Sequence, residues 1–308
     1  MPTVSSRRRG ELVRATAEAP MVRADRVWSR HSNDKVDVAR GLMRVLRSLY
    51  RALPPHRRLR GLSIGSSNEP QFRILEAACR AGLFLLDIES EALDIVRERI
   101  LRQKTNKVRC LQGDFTHMLG DRAAAKAFRR GPLEGHRMQL VTMHHSLYYA
   151  PRGTWDALVG NVHDELLAGQ RGGGPAAIHA VLMASHCTDP RSTTWLYNHY
   201  AGEFFGARND QDLAGFAQTL RRHPRYAGAE VSCHTSRVEF FCDDFGQFRS
   251  VIWMIMLHPQ VHRHSPEQLR EIAEYVYETM YRPGRPLIQR QHHMIIWRGA
   301  GAALSNRP

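Results

Sequence analysis

The chain has 308 residues, with 44 lysines and arginines against 30 aspartates and glutamates, a formal charge of +14, and five scattered cysteines without CxxC spacing. A chain of this length buries a core without staples, so the thiols argue against a disulfide scaffold or structural zinc and for a reducing, cytoplasmic setting. No window approaches the ~20 apolar residues of a membrane span and no apolar signal core stands at the N-terminus, so a soluble, unexported protein is expected. Arginine is spread along the whole length, densest at Arg7 to Arg9 and Arg57-Arg58. A solvated surface and a nucleic-acid footprint are both open readings of that charge.

Residues 1–20 are polar, arginine-rich and aperiodic, which reads as a mobile basic arm; residues 301–308 form a tail. From Val27 the character changes. Ser32, Asn33 or Asp34 can cap a helix that carries Val36, Ala39, Leu42, Met43, Leu46 and Leu49 at helical spacing and ends before Pro54-Pro55. Lying ahead of the first strand, this segment (27–56) is placed to cover a crevice as a lid.

The stretch from Gly61 to Glu91 organises the rest of the chain. Leu62 to Ile64 is an apolar run ending at Gly65; Ser66, Ser67 and Asn68 are small, and a helix opens near Glu69. Leu83 to Leu86 is a second run stopped by Asp87. A carboxylate at the end of a second parallel strand, some 20 residues after the first strand's turn, is where the ribose hydroxyls of a nucleoside cofactor are held. A helix from Glu89 or Ser90 to about Lys104 carries Leu93, Val96 and Ile100 on one face. Val108 to Leu111 gives a third strand, closed by Gly113-Asp114-Phe115, and a helix succeeds it from about Asp121 to Arg130.

Met138 to Met143 reads as the fourth strand, running into His144-His145-Ser146-Leu147-Tyr148-Tyr149. Thr154 to Leu167 reads as helix and Ala176 to Met183 as the fifth strand. Five rounds of strand and helix point to a doubly wound parallel sheet with its ligand site beyond the strand carboxyl ends. Beyond it, helices are expected over Thr194 to Phe205, Asp210 to Arg221, Phe245 to Leu257 and from Ser265-Pro266 to about Tyr281, with strands over Ala229 to Phe240 and Leu287 to Trp297. With no repeat and no linker, residues 21–300 read as one domain, with a cofactor-binding core over 57–186 and substrate-side elements over 187–300.

LSIGSSNEP, LLDIESEAL, GDF and the strand-end HHSLYYA together resemble the class I S-adenosylmethionine-dependent methyltransferases. HSND, SLYYA, WLYNHYAGEFF and VIWMIMLHPQVHRHSPEQLREI resemble, within them, the histamine N-methyltransferase family. The resemblance implies a doubly wound, mostly parallel seven-stranded sheet, the Rossmann-like methyltransferase fold, with helical lid elements. It implies S-adenosylmethionine as cofactor, with Gly65 and Ser66 facing its methionine part, Asp87 the ribose, Asp114 and Phe115 the adenine, and Met143 and His144 beside the sulfonium. For the acceptor it implies Asp34, His145, Tyr148, Tyr149, Trp195 and Tyr197, with Arg290, or Gln289 in a shifted register, on the last strand. Asp34 and His145 would be the catalytic pair. Where the family has amides, this chain has His145 and an arginine, which points to an acceptor other than histamine.

The residues support that chemistry on their own terms. A carboxylate such as Asp34 can hold a cationic amine, a histidine with an ordinary pKa near 6.5 can orient a nitrogen or take its proton, and aromatic rings attract cations. Plainer readings stand beside these: Asp34 as a helix cap, and Tyr148 and Tyr149 as packing residues. The expected function is methyl transfer to a small-molecule amine or aromatic nitrogen. The alternatives are an RNA-directed methyltransferase-like protein and a cofactor-binding homologue without catalysis. The pairs His144-His145 and His292-His293 put their rings on opposite strand faces, and His258 and His262 have Pro259 between them, so no metal is expected.

Overall fold

The computed structural model describes residues 21–65, 71–105, 107–169, 174–257, 260 and 262–299. The basic arm, the tail, and the small-residue loop with Ser66 therefore lie outside the described residues. Seven strands form one mixed sheet in the order β3-β2-β1-β4-β5-β7-β6. They are β1 (Arg60–Ile64), β2 (Gly82–Asp87), β3 (Val108–Gln112), β4 (Leu140–His144), β5 (Ala176–Met183), β6 (Ala229–Phe240) and β7 (Leu287–Arg298). The apolar runs of β1, β2, β4 and β5 are buried almost throughout, as strands covered on both faces require.

Neighbouring strands from β3 to β5 pair in parallel, with Gly61 opposite Leu83 and Leu140, Leu85 opposite Cys110, and Thr142 opposite His179. The chain steps outward from β1 to β2 and β3, then returns to the other side of β1 to place β4. The carboxyl ends of β1 and β4 therefore flank the topological switch point, where open sheets of this kind leave a ligand crevice.

The helices are α1 (Met21–His31), α2 (Asp34–Ala52), α3 (Gln71–Ala78), α4 (Ser90–Gln103), α5 (Phe115–Leu119), α6 (Arg122–Arg130), α7 (Trp155–Asn161), α8 (Thr193–Phe205), α9 (Leu213–Arg222), α10 (Phe245–Ile255) and α11 (Pro266–Val276). Helix α1 carries Met21, Val22, Ala24, Val27 and Trp28 among three arginines; Ala24 and Trp28 at i,i+4 are its buried anchors. The expected face of α2 is rotated. Val38, Leu42, Val45, Leu46 and Leu49 are buried, while Val36 and Met43 are 50% and 38% exposed. Arg40 and Arg47 share their stripe at helical spacing and fix it toward solvent. The helix expected over Thr154 to Leu167 is three pieces: a 3-10 turn, α7, and a wider π turn over Val162–Leu166. That turn carries His163 to Arg298 and to Asp164. A π turn also ends the last long helix, over Tyr277–Tyr281.

The chain divides into two compact units. The first comprises Met1–Asp37, Met183–Leu213 and Thr235–His292. Its core is Trp28, Leu196, Tyr197, Val238, Phe240, Phe248, Ile252, Ile272 and Val276 with their neighbours. Trp28 stacks on Phe240 at 5.4 Å, Ser32 bridges the backbone of Phe240, and Asn33 Oδ1 accepts the Glu239 N–H at 2.8 Å. An aromatic pair of that kind contributes about 0.5–1.5 kcal/mol beyond its buried area.

The second unit comprises Val38–Leu182, Ala214–His234 and His293–Pro308. Leu42, Leu46, Leu49, Phe72, Leu75, Leu83, Leu85, Leu140, Ala177, Ile295 and Trp297 fill its core. Cys79 belongs to the same cluster, and burial pushes its thiol far up, so it packs as a small apolar group.

Candidate functional site

Four strand ends of the second unit meet around the switch point. β1 stops at Gly65, whose φ of +70° suits glycine and whose N–H donates to Leu86 O at 2.8 Å. A Cβ on Gly65 would stand 2.7 Å from Ser146 Cβ, so Gly65 lies directly against Ser146, the second residue after β4. β2 stops at Asp87. Its Oδ1 accepts the Glu89 N–H at 3.1 Å, and its carbonyl accepts the Gly113 N–H at 2.9 Å, which ties the end of β3 to the end of β2.

Asp114 comes next at that joint and caps α5: its Oδ1 accepts the Thr116 N–H at 3.0 Å and the Thr116 hydroxyl at 2.7 Å. Phe115, the first residue of α5, is buried. The structure thus brings Gly65, Asp87, Asp114 and Phe115 to one edge of three adjacent strands.

Met143 and His144 are buried at the end of β4. His145 then takes a left-handed conformation, φ +54°, with its N–H donating to Val181 O at 2.8 Å. Such a φ costs a residue with a Cβ about 1–2 kcal/mol, and here it turns the chain sharply off the strand. The His145 ring lies parallel to Tyr148, with centroids 6.1 Å apart. Tyr148 is buried and Tyr149 half-buried in the adjoining 3-10 turn.

Ser146 is the residue that sequence reasoning passed over. It is fully buried, it lies against Gly65, and its Oγ has no hydrogen-bond partner among the described residues. A buried hydroxyl without a partner calls for an explanation, and one at a switch point is placed to bond a ligand. The only signal in the sequence was a small polar residue directly after a strand end.

The remaining expected residues belong to the first unit. Asp34 is 1% exposed and opens α2, with its Oδ2 3.6 Å from Lys35 Nζ. Asn33 stands directly before the helix, its carbonyl accepting the Asp37 N–H at 2.9 Å. Trp195 stacks on His199 and Tyr275, with centroids 4.4 and 5.5 Å away. Tyr197, two positions along α8, is fully buried with its hydroxyl 3.0 Å from His262 Nε2. On β7, Arg290 is exposed, whereas Gln289 and Gln291 are buried and bonded to each other at 3.2 Å. Gln291 Nε2 and Ser236 Oγ both donate to Asp37 Oδ2, at 2.6 and 2.5 Å. That half-buried group around the Asp37 carboxylate was not anticipated.

A separate groove of about 720 Å³ lies between α2 and α3. It is floored by Met43, Leu46, Tyr50 and Ile74 and rimmed by Arg47, Arg51, Arg73 and Arg80. None of the strand-end residues lines it. Among the described residues no group of three histidine, cysteine or acidic side chains could hold a metal ion, and no helix is long and apolar enough to cross a membrane.

No family model and no curated protein matches the chain. Solved structures do. The YcgJ protein of Bacillus subtilis superposes with a TM-score of 0.50 at 10% identity, over 84% of this chain and 99% of that one. A Bacillus halodurans protein provisionally named a methyltransferase gives 0.49 at 15% identity, over 83% and 99%. A phosphoethanolamine N-methyltransferase of Haemonchus contortus, in complex with S-adenosylhomocysteine, gives 0.43 at 11% identity, over 83% and 52%. At such identities the likeness is one of fold: the chain has a Rossmann-like methyltransferase fold, a seven-stranded mixed sheet with flanking helices.

Proposed function

We propose that the protein is an S-adenosylmethionine-dependent methyltransferase acting on a small molecule through an amine or aromatic nitrogen. The observation that carries this reading is the joint at the switch point. Gly65 at positive φ lies against the Cβ of Ser146, whose buried hydroxyl has no hydrogen-bond partner among the described residues, and Asp87 and Asp114 stand at the ends of the adjacent strands. This donor set fits a nucleoside cofactor with a polar tail. Carboxylates accept ribose hydroxyls and an exocyclic amine, a buried ring flanks a base, and a glycine at the end of β1 leaves room for the tail.

In this assignment Asp87 holds the ribose and Asp114 with Phe115 the adenine. Gly65 and Ser146 hold the methionine part together with Ser66, and Met143 and His144 flank the sulfur. When bound, S-adenosylmethionine supplies an activated methyl group, so the chain need not provide a nucleophile. Its residues align, desolvate and handle a proton.

For the acceptor the resemblance to the histamine N-methyltransferase family is the support. Asp34 of the first unit would hold a cationic amine, and Trp195 and Tyr197 would offer aromatic surface, with Arg290 the polar residue of the last strand. In the second unit His145 would orient the reacting nitrogen or accept its proton, beside Tyr148 and Tyr149. Cation–π attraction contributes about 0.5–2 kcal/mol per ring. Incubation with methyl-labelled S-adenosylmethionine and a panel of primary amines, secondary amines and imidazoles tests the reading. Label in any of them supports it; label in none, from a folded protein that binds the cofactor, removes the nitrogen acceptor.

A nucleic-acid acceptor is the second reading, favoured by the four arginines that rim the groove between α2 and α3. RNA affinity that falls steeply with salt is its signature.

A further inference from the structure

A line of histidines runs through the second unit. His144 Nε2 lies 3.0 Å from His179 Nδ1 on β5, and His179 Nε2 lies 3.3 Å from His293 Nδ1 on β7. All three are buried, at 3%, 0% and 0% exposure. The His293 ring is stacked with that of half-buried His234 on β6, at 4.7 Å between centroids and 14° between planes. β4, β5, β7 and β6 are consecutive in the sheet and β6 is its edge, so the line leads outward from the strand end at the candidate site. Gly41 of α2 makes room for it: a Cβ there would stand 2.6 Å from His293 Nδ1 and 3.2 Å from His179 Cε1.

Burial holds the His179 pKa well below its ordinary value, and the neighbouring His144, His293, His234 and Arg44 add to the effect. His179 therefore rests neutral. A neutral imidazole donates from one nitrogen and accepts at the other, so three rings in line satisfy both links in only two ways. Either every ring carries its proton on Nε2 and donates toward β7, or every ring carries it on Nδ1 and donates toward β4. Passing from the first arrangement to the second takes up one proton at His144 Nδ1 and releases one from His293 Nε2, with no ring left charged.

We propose that His144, His179 and His293 form a proton-conducting line that carries away the proton an acceptor loses on methylation at the end of β4. The acceptor nitrogen uses its lone pair to bond the methyl carbon, and the carbon–sulfur pair stays on sulfur. The N–H proton passes to His144 Nδ1, and a proton leaves His293 toward water beside His234. This rests on the methyl-transfer reading and narrows it to acceptors bearing an N–H or O–H; tertiary amines, which release no proton, have no use for the line.

Ring-nitrogen NMR of the ¹⁵N-labelled full chain tests it at neutral pH. The expected spectrum shows three neutral rings sharing one tautomer. In His293→Phe, which closes the far end, exchange of the His144 ring proton with water slows at least tenfold. A charged ring, tautomers that break the series, or unchanged exchange in a folded His293→Phe overturns the line; the wild-type spectrum decides even where that variant fails to fold. Titrating the same wild-type sample with S-adenosylmethionine separates the two readings. Absence of binding overturns the methyl-transfer reading and the acceptor half of the proposal, while the ring spectra decide the conducting half.

Discussion

Replacing Ser146 with alanine should move stability and cofactor affinity in opposite directions. Its hydroxyl is fully buried and unpartnered among the described residues, and an unsatisfied buried hydroxyl costs about 1–3 kcal/mol. Alanine removes the oxygen and keeps the Cβ that lies against Gly65, so that contact is retained. The unliganded variant should therefore be more stable by ~1 kcal/mol, read as a higher denaturant midpoint at unchanged slope. With the cofactor bound, the lost hydrogen bond is worth about 0.5–1.5 kcal/mol, a roughly two- to thirteenfold higher dissociation constant by calorimetry. A residue that only packs cannot give that pair of signs. A loss of stability at unchanged affinity would show that the hydroxyl is part of the scaffold, and the reasoning would fail.

Other substitutions probe the same joint and its surroundings. Gly65→Ala meets a positive-φ cost of about 1–2 kcal/mol and the overlap with Ser146. Adding Ser146→Gly should recover the overlap but not the φ cost, as a thermodynamic cycle of melts would show. Asp87→Ala should weaken S-adenosylmethionine binding by about tenfold or more with an unchanged circular dichroism spectrum; equal affinity would refute its assignment to the ribose. Asp34→Asn should raise KM for a cationic acceptor and leave cofactor affinity alone, whereas a parallel loss of stability and activity would mark it as structural.

Stability should also depend on pH through His163. Its Nε2 accepts from Arg298 Nη2 at 2.6 Å, so Nδ1 carries the proton and donates to Asp164 Oδ1 at 2.9 Å. Burial first, and Arg298 next, depress its pKa to about 4. The unfolded histidine takes its proton near 6.5. Between those values the unfolded chain binds more protons, so stability is full above about pH 6.5 and falls by ~3 kcal/mol as the pH drops toward 4. His163→Gln should flatten that part of the stability curve; an unchanged slope would show that other groups set it.

The cofactor edge of the sheet was legible because apolar runs stop there. Gly65 and Asp87 close buried strands and Asp114 follows the half-buried β3, and parallel pairing brings such ends side by side. The face of α2 was misread because Val36 and Met43 count as apolar wherever they point, and only the arginines on their stripe tell which way that is. The π turns carry no recognisable pattern, and the apolar residues of α1 are interleaved with Arg23, Arg26 and Arg30 directly after an aperiodic arginine-rich stretch. His179 sits inside the apolar run of β5, and its partner His293 is 114 positions away, so nothing local could join them. An orphaned hydroxyl such as that of Ser146 is a property of three-dimensional surroundings alone.

Calorimetric titration of the purified full chain and of Asp87→Ala with S-adenosylmethionine and its demethylated product tests the central claim most directly. The account expects one-to-one binding to the native chain, with the product at least as tight, and marked weakening in the variant. A folded native chain that binds neither compound would contradict it.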